Sequence, residues 1–228
     1  MAHTVSSRIG CNVGGMFINI LVYADDIVLL APSWWGLQQL LDLVVQQSAL
    51  INMSLNTQKS VCMTFLPRDR SKVVSLCFPE LCVNGEKLAY VKRFKYLGHI
   101  ITDNNMDDAD IQREITNMFI RTNTLTRKFG NCTTAVKKVL FRSYCICLYD
   151  AALWSRFRAG MLKKLRSCYN RCIKIFFGYS RRDSLTSIFL HLGLPTFDTV
   201  LANAALSYLR LWNGCSNRLI MHMRQLSV

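Results

Sequence analysis

Residues 20–31 read ILVYADDIVLLA. Two adjacent carboxylates, Asp25 and Asp26, stand between two apolar runs, where an unpaired buried charge would be costly. Phe17–Val22 and Ile27–Leu30 are β-rich and four residues apart, so the segment is expected to be a hairpin with both aspartates at or beside its turn. Ser33 then offers an N-cap. Leu37, Leu40, Leu41, Val44, Ser48 and Ile51 follow with helical spacing. The apolar face of this helix is expected to pack on the hairpin's sheet.

Further along, Val61, Met63 and Phe65 alternate with Cys62 and Thr64, the period of a half-buried strand. Pro67–Lys72 reads as a charged loop. Leu81–Leu88 is a hairpin signal, since Asn84-Gly85 suits a type I′ turn. Phe94–Ile101 reads as a further strand interrupted by Gly98. From Asp107 the period becomes helical. Ile111, Ile115, Met118, Thr122, Leu125 and Phe129 form one stripe. Asp107, Asp108 and Asp110 suit its N-terminus, Arg127 and Lys128 its C-terminus, and Gly130 its cap. A second helix is expected from about Thr134 to Trp154, with Val136, Leu140, Tyr144, Leu148 and Ala151 on one face. A third runs from about Gly160 to Phe177, ended by Gly178. Shorter helices near Ser184–Leu192 and Asp198–Trp212 follow. The fold class is therefore α+β: an antiparallel sheet with a packed helix, then an all-α helical bundle.

Charge follows the same division. Residues 1–110 carry a net −1 and residues 111–228 a net +15, which makes up the +14 of the 228-residue chain. A basic helical half suits a polyanionic partner, most often nucleic acid. The ten cysteines form no C-x-x-C pair, so a zinc ribbon or thioredoxin-like site is not expected. They read as buried free thiols of a reducing intracellular compartment, cytoplasm or nucleus. No signal peptide stands out, and no run approaches the roughly 20 apolar residues of a membrane span. Trp34 and Trp35, at a helix start, read as staples to the core rather than base-stacking platforms.

Paired carboxylates at a strand turn, beside a basic helical half, suit metal-assisted phosphoryl chemistry. Aspartate is equally a common turn residue. The surrounding residues narrow the choice. YADD, flanked by INILV and IVLLA, resembles the active-site signature of reverse transcriptases, and its Ala resembles the non-LTR (LINE-type) retrotransposon branch. In order, APSWWGLQQLLD (31–42), LNTQKSVCMTF (55–65) and VKRFKYLGHIIT (91–102) resemble the loop and helix after the signature, the next palm motif and the F-x-Y-L-G primer grip. DDADIQREITNMFIRTNTLTRKF (107–129) and VLFRSYCICLYDAALW (139–154) resemble the start of the thumb. The resemblance covers about residues 10–180.

The resemblance implies a palm-like sheet over residues 1–103, a thumb-like helical bundle over 104–180 and a helical extension over 181–228. It implies that Asp25 and Asp26 are catalytic metal ligands for two Mg²⁺ ions. Lys59 would sit near the incoming triphosphate, and an ordinary surface lysine is its equal alternative. Tyr23 and Ala24 would lie near the primer terminus. Phe94, Lys95, Tyr96, Leu97 and Gly98 would form the hairpin that positions the primer. Lys163, Lys164, Arg166, Arg171 and Lys174 are candidates for phosphate contacts without base specificity. RNA template, DNA primer and dNTP are the implied partners, with no membrane. Residues 1–24 hold no Asp or Glu. The family's further metal-binding aspartate and its fingers would therefore precede Met1, and the chain is expected to be inactive alone. The competing expectation is a basic nucleic-acid-binding protein without chemistry, or a decayed element remnant.

Overall fold

The computed structural model describes residues 9–67, 69, 71, 75, 77–146, 148 and 150–226. Two compact units are present. One is formed by the residues up to Lys92 together with those from Asn217, the other by Arg93–Ser216.

The first unit is built from short strands on tight turns. β1 (Cys11–Val13) pairs antiparallel with β2 (Met16–Ile18). Gly14 and Gly15 turn between them at φ +56° and +89°, the two left-handed positions of a type I′ turn. β3 (Ile20–Tyr23) and β4 (Asp26–Leu29) form the expected hairpin, with Tyr23 opposite Asp26. Asn19 anchors it: the buried side chain donates to the Ile9 carbonyl at 3.0 Å, and its own carbonyl accepts from Leu30 N at 2.9 Å. α1 spans Trp34–Leu50, and Ser33 Oγ accepts from Gly36 N at 3.2 Å as its N-cap. Its buried face is Gly36, Leu40, Leu41 and Val44.

The expected strand at Val61–Phe65 is reduced to β5 (Val61–Cys62), and Cys62 rather than Val61 or Met63 is buried. Its partner is parallel: β8 (Ala89–Tyr90). Between them, β6 (Cys82–Val83) and β7 (Glu86–Lys87) close on Asn84-Gly85 at φ +52° and +85°, the expected type I′ turn. Gln38 clamps α1 to β6, donating to Cys82 O at 2.9 Å and accepting from Cys82 N at 3.0 Å. The core of this unit is Leu41, Cys62, Leu81, Val83 and Leu88. Trp34 packs on it and donates its indole N–H to Glu80 O, whereas Trp35 is exposed. The Pro67–Lys72 loop lies partly outside the described residues. α7 (Arg218–Leu226) also belongs here. His222 Nε2 lies 2.7 Å from Val13 O, and a Cβ on Gly14 would fall 2.4 Å from a Leu226 methyl.

The second unit opens with the hairpin that the resemblance implies, in place of the one interrupted strand read from the local pattern. Arg93–Thr102 is two strands, β9 (Arg93–Tyr96) and β10 (His99–Thr102), because Leu97 and Gly98 both take positive φ (+46° and +92°) and fold the chain back. α2 (Asp108–Phe129) buries the expected Ile111, Ile115, Met118, Thr122 and Leu125, and also Asp110 and Glu114. Gly130 is right-handed (φ −57°), so no left-handed glycine cap ends this helix. The helix expected from Thr134 to Trp154 stops early: α3 is Thr134–Cys145, and a 3-10 turn follows at Ala151–Leu153. Phe141 and Cys145 are its buried positions, while Val136 and Tyr144 are exposed. α4 (Ala159–Phe177) ends at Gly178, left-handed at φ +79° as expected. α5 (Leu185–Leu192) and α6 (Phe197–Gly214) complete the unit.

The core of this unit centres on Phe141, with the rings of Tyr169, Phe176 and Phe177 about it at 5.9–6.2 Å. The architecture is mixed α+β, as expected. Its strands pair two by two rather than in one continuous sheet, because each is two to four residues long. Cys62, Cys145, Cys168 and Cys172 are buried cysteines; Cys77 is exposed, and Cys147 lies outside the described residues. Among the described residues no single helix is long and apolar enough to cross a membrane; α5 and α6 pass that test only together, bent by 56°.

Candidate functional site

In the first unit, Ala24 and Asp25 are the two turn residues of the β3–β4 hairpin, and Asp26 opens β4. Ala24 takes φ +51°, a left-handed backbone that costs a non-glycine residue about 1–2 kcal/mol. Such strain is typical of turns held in place for a task. Tyr23, Ala24, Asp25 and Asp26 are all exposed, so the tip presents its carboxylates to solvent. Neither aspartate side chain has an ion-pair or hydrogen-bond partner among the described residues. Two unengaged, hard oxygen donors of this kind suit a divalent cation such as Mg²⁺. Lys59 is exposed on a loop fixed by Asn56, whose Oδ1 accepts from Lys59 N at 3.1 Å. Leu29 of β4, Leu55 and Cys62 all reach the same core, so the hairpin and the Lys59 loop share one anchor.

The second unit holds the sites of the other candidates. Phe94, Lys95 and Leu97 are exposed on the β9–β10 hairpin, and Tyr96 is half-buried next to the turn at Gly98. The five basic candidates on α4 divide. Lys163, Lys164 and Arg171 line a cleft of about 470 Å³ between α2 and α4, together with Gln112, Ile115 and Phe119. The Arg171 guanidinium lies 5.7 Å from the Phe119 ring centroid. Arg166 instead pairs with Asp198 and lies over Phe197. Lys174 donates to the Arg181 and Asp183 carbonyls at 2.8 and 2.7 Å, closing the loop after α4.

A further constellation was not expected from the sequence. Asp110, fully buried, accepts at Oδ1 from Ile100 N (2.9 Å) and Arg113 Nε (2.7 Å), and at Oδ2 from Trp154 Nε1 (2.8 Å). Asp150, also fully buried, accepts from Arg113 Nη2. His99 Nδ1 lies 3.1 Å from Asp110 Oδ2 and 3.6 Å from Asp150 Oδ2, an ion-pair contact rather than a directed hydrogen bond. Its Nε2 is 3.7 Å from Asp107 Oδ1, and Asp107 Oδ2 accepts from Ser155 N and Arg156 N at 2.8 Å each. Next on α2, Glu114 is buried against Arg121 and 3.5 Å from Arg113 Nη1.

These contacts set the charges. The Asp110 and Asp150 carboxylates push the His99 imidazole up to about 9 against the opposing effect of its burial, so it is an imidazolium at neutral pH. Burial pushes Asp110 up, but the nearby His99 and the Arg113, Trp154 and Ile100 donors outweigh it and hold Asp110 far below the usual carboxylate range. Burial raises Glu114 despite Arg121 and Arg113. The buried His99, Asp110 and Asp150 offer one ligand atom each, all within 4.8 Å of one another, and this group could hold a metal ion.

The sequence resembles what comparison finds, at long range. Part of the chain is distantly similar to a retrotransposon Pol polyprotein. It is 31% identical over 101 residues to the retrovirus-related Pol polyprotein from the type-2 retrotransposable element R2DM of Drosophila melanogaster. That stretch covers 43% of this chain and 10% of the length of that protein. No family model matches, and no solved structure matches.

Proposed function

We propose that the chain is a fragment of an RNA-directed DNA polymerase, carrying the aspartate hairpin and primer-grip part of the palm and the thumb. The observation that carries this reading is the β3–β4 tip. Two exposed, unengaged carboxylates are held on a strained Ala24-Asp25 turn by a hairpin anchored through Asn19 and Leu29. The distant relation to a Pol polyprotein supports it.

Asp25 and Asp26 would hold Mg²⁺, whose role when bound is to activate a primer 3′-hydroxyl and to stabilise the pyrophosphate leaving group. The chain's own part is positional. The hairpin fixes the carboxylates, and Tyr23 and Ala24 lie beside them to meet the primer end. The turn from Phe94 to Gly98 steadies the primer strand. Lys59, on its Asn56-fixed loop, donates a proton to the departing pyrophosphate. Lys163, Lys164 and Arg171 contact phosphates of the template–primer duplex through their cleft, without reading bases. Partners on this reading are an RNA template, a DNA primer and a dNTP, within the cytoplasm or nucleus.

The cleft favours a second reading, a nucleic-acid-binding protein without chemistry. Primer extension on an RNA template separates the two. Mg²⁺-dependent extension lost in Asp25→Asn supports the polymerase. Because the fragment is expected to be inactive alone, salt-sensitive duplex binding supports the binding protein only when extension and Mg²⁺-dependent shifts of the Ala24–Asp26 amide signals are both absent.

A further inference from the structure

We propose that His99, Asp110 and Asp150 form a structural site for a divalent transition-metal ion of the zinc class. The ion ties the β9–β10 hairpin to α2 and to the segment before Trp154. Its residues belong to the second unit, whereas Asp25 and Asp26 belong to the first.

The spacing fits. Two ligands about 2.1 Å from a tetrahedral ion lie roughly 3.4 Å apart. His99 Nδ1 lies 3.1 Å from one Asp110 oxygen and 3.6 Å from one Asp150 oxygen. An independent observation points to a missing partner. Asp150 is fully buried, yet its Oδ1 has no hydrogen-bond donor, and His99 Nδ1 makes no directed hydrogen bond despite its two carboxylate neighbours. A buried carboxylate oxygen without a donor is costly unless something fills its lone pair.

The outer contacts are those of a ligand set held in advance. His99 turns its second nitrogen toward Asp107, the carboxylate–histidine–metal arrangement that orients an imidazole ligand. Asp107 is itself fixed by two backbone N–H groups. Arg113 holds Asp110 Oδ1 and the same Asp150 Oδ2 that lies nearest His99, which leaves Asp150 Oδ1 as the buried oxygen without a donor.

Charge gives the same answer. Asp107, Asp110 and Asp150 face Arg113 and His99. Around a neutral imidazole ligand these groups carry two net negative charges, which a divalent ion offsets. Entry is open. A cleft of about 350 Å³ lined by His99, Met106, Asp107, Ser155 and Arg156 reaches the imidazole and has room for a water as fourth ligand. One imidazole and two carboxylates suit zinc and its neighbours better than Mg²⁺, which prefers an all-oxygen octahedron.

The test uses the full chain stripped with chelator and titrated with Co²⁺, Zn²⁺ or Mg²⁺ alone. The expected result is one equivalent of Co²⁺ with a visible d–d band and no thiolate-to-cobalt charge-transfer band. Zn²⁺ should displace it, and Mg²⁺ at the same concentration should not. Affinity should fall at least about tenfold in His99→Gln and in Asp150→Asn, as for a lost ligand. It should be unchanged in the Asp25→Asn/Asp26→Asn double variant. Absence of stoichiometric binding, a charge-transfer band reporting cysteine ligation, or full binding in His99→Gln would each overturn the proposal. If Asp150→Asn fails to fold, the wild-type spectrum and His99→Gln decide, since the His99 side chain is partly exposed and its loss leaves the core intact.

Discussion

Replacing Arg113 with Met probes the ionic cluster most directly. Arg113 bridges two carboxylates that have no access to solvent, reaching Asp110 Oδ1 at 2.7 Å and Asp150 through its other arm. Methionine keeps much of the side-chain volume, so little of the effect comes from a cavity. What is lost is the charge. Asp110 retains its Trp154, Ile100 and His99 contacts, but Asp150 is left with His99 alone at 3.6 Å. Two charge-assisted hydrogen bonds at about 1.5–3 kcal/mol each, and a buried pair broken at one end at about 3–5 kcal/mol, converge on the same range. The unit Arg93–Ser216 should therefore lose about 3–5 kcal/mol of stability in chelator-treated protein. Hydrogen exchange of the buried α2 amides, Ile111 to Leu125, measures it within that unit. Protection should fall by about two to three and a half powers of ten, since about 1.4 kcal/mol is tenfold. Adding Asp150→Asn should recover part of the loss, because it removes the stranded charge. A change below about 1 kcal/mol would refute the reasoning and place the cluster with solvent-screened surface pairs.

Other outcomes follow from the same geometry. In metal-free protein, the His99 contribution is complete below its unfolded value near 6.5 and is lost as pH rises through about 9, because the folded value is the higher one. With partial solvent access this amounts to about 2–3 kcal/mol; urea unfolding at about pH 6 and about pH 10 should show it, and His99→Gln should flatten it. Ala24→Gly should stabilise the β3–β4 hairpin by about 0.5–1 kcal/mol, as relief of left-handed strain outweighs the entropy of glycine, seen in slower exchange of Val22 and Val28 amides. Phe141→Ala, at the centre of the aromatic core, should cost about 3–5 kcal/mol in thermal or urea unfolding. Lys163→Glu with Arg171→Glu should weaken duplex binding and lower its salt slope by about 2, whereas Arg166→Ala should leave the slope nearly unchanged because Arg166 already pairs with Asp198.

The parts of the fold legible in the sequence were those decided locally. Asn84-Gly85 and Gly178 take the backbone that their chemistry demands, and Ser33 caps α1 as its hydroxyl allows. The apolar stripe from Ile111 to Leu125 is buried as its period requires. Errors arose where tertiary contacts overrule the local pattern. The helix expected through Trp154 ends at Cys145, and beyond it Asp150 accepts from Arg113 and Trp154 donates to Asp110, partners some 40 residues earlier. On α2, Asp110 and Arg113 look like an ordinary exposed i, i+3 pair beside a helix start, and Asp110 is read only as a partner of the helix dipole. Only the long-range arrival of His99, Asp150 and Trp154 turns them into a buried group. The aspartate hairpin was visible because its strands, turn and carboxylates are contiguous. The His99–Asp110–Asp150 group was not, because its members come from three separate stretches with no common spacing.

α7 gives the chain an order of events during synthesis. Its contacts with the β1–β2 turn, through His222 and Leu226, are made by residues that leave the ribosome long after that turn. The whole of Arg93–Ser216 is made in the interval. That middle segment can complete its aromatic core while the earlier unit still lacks α7. Any ribosomal pause or premature stop between Ser216 and Leu226 would therefore leave the aspartate-bearing unit as the unfinished one, with the surface around Gly14 open to chaperones.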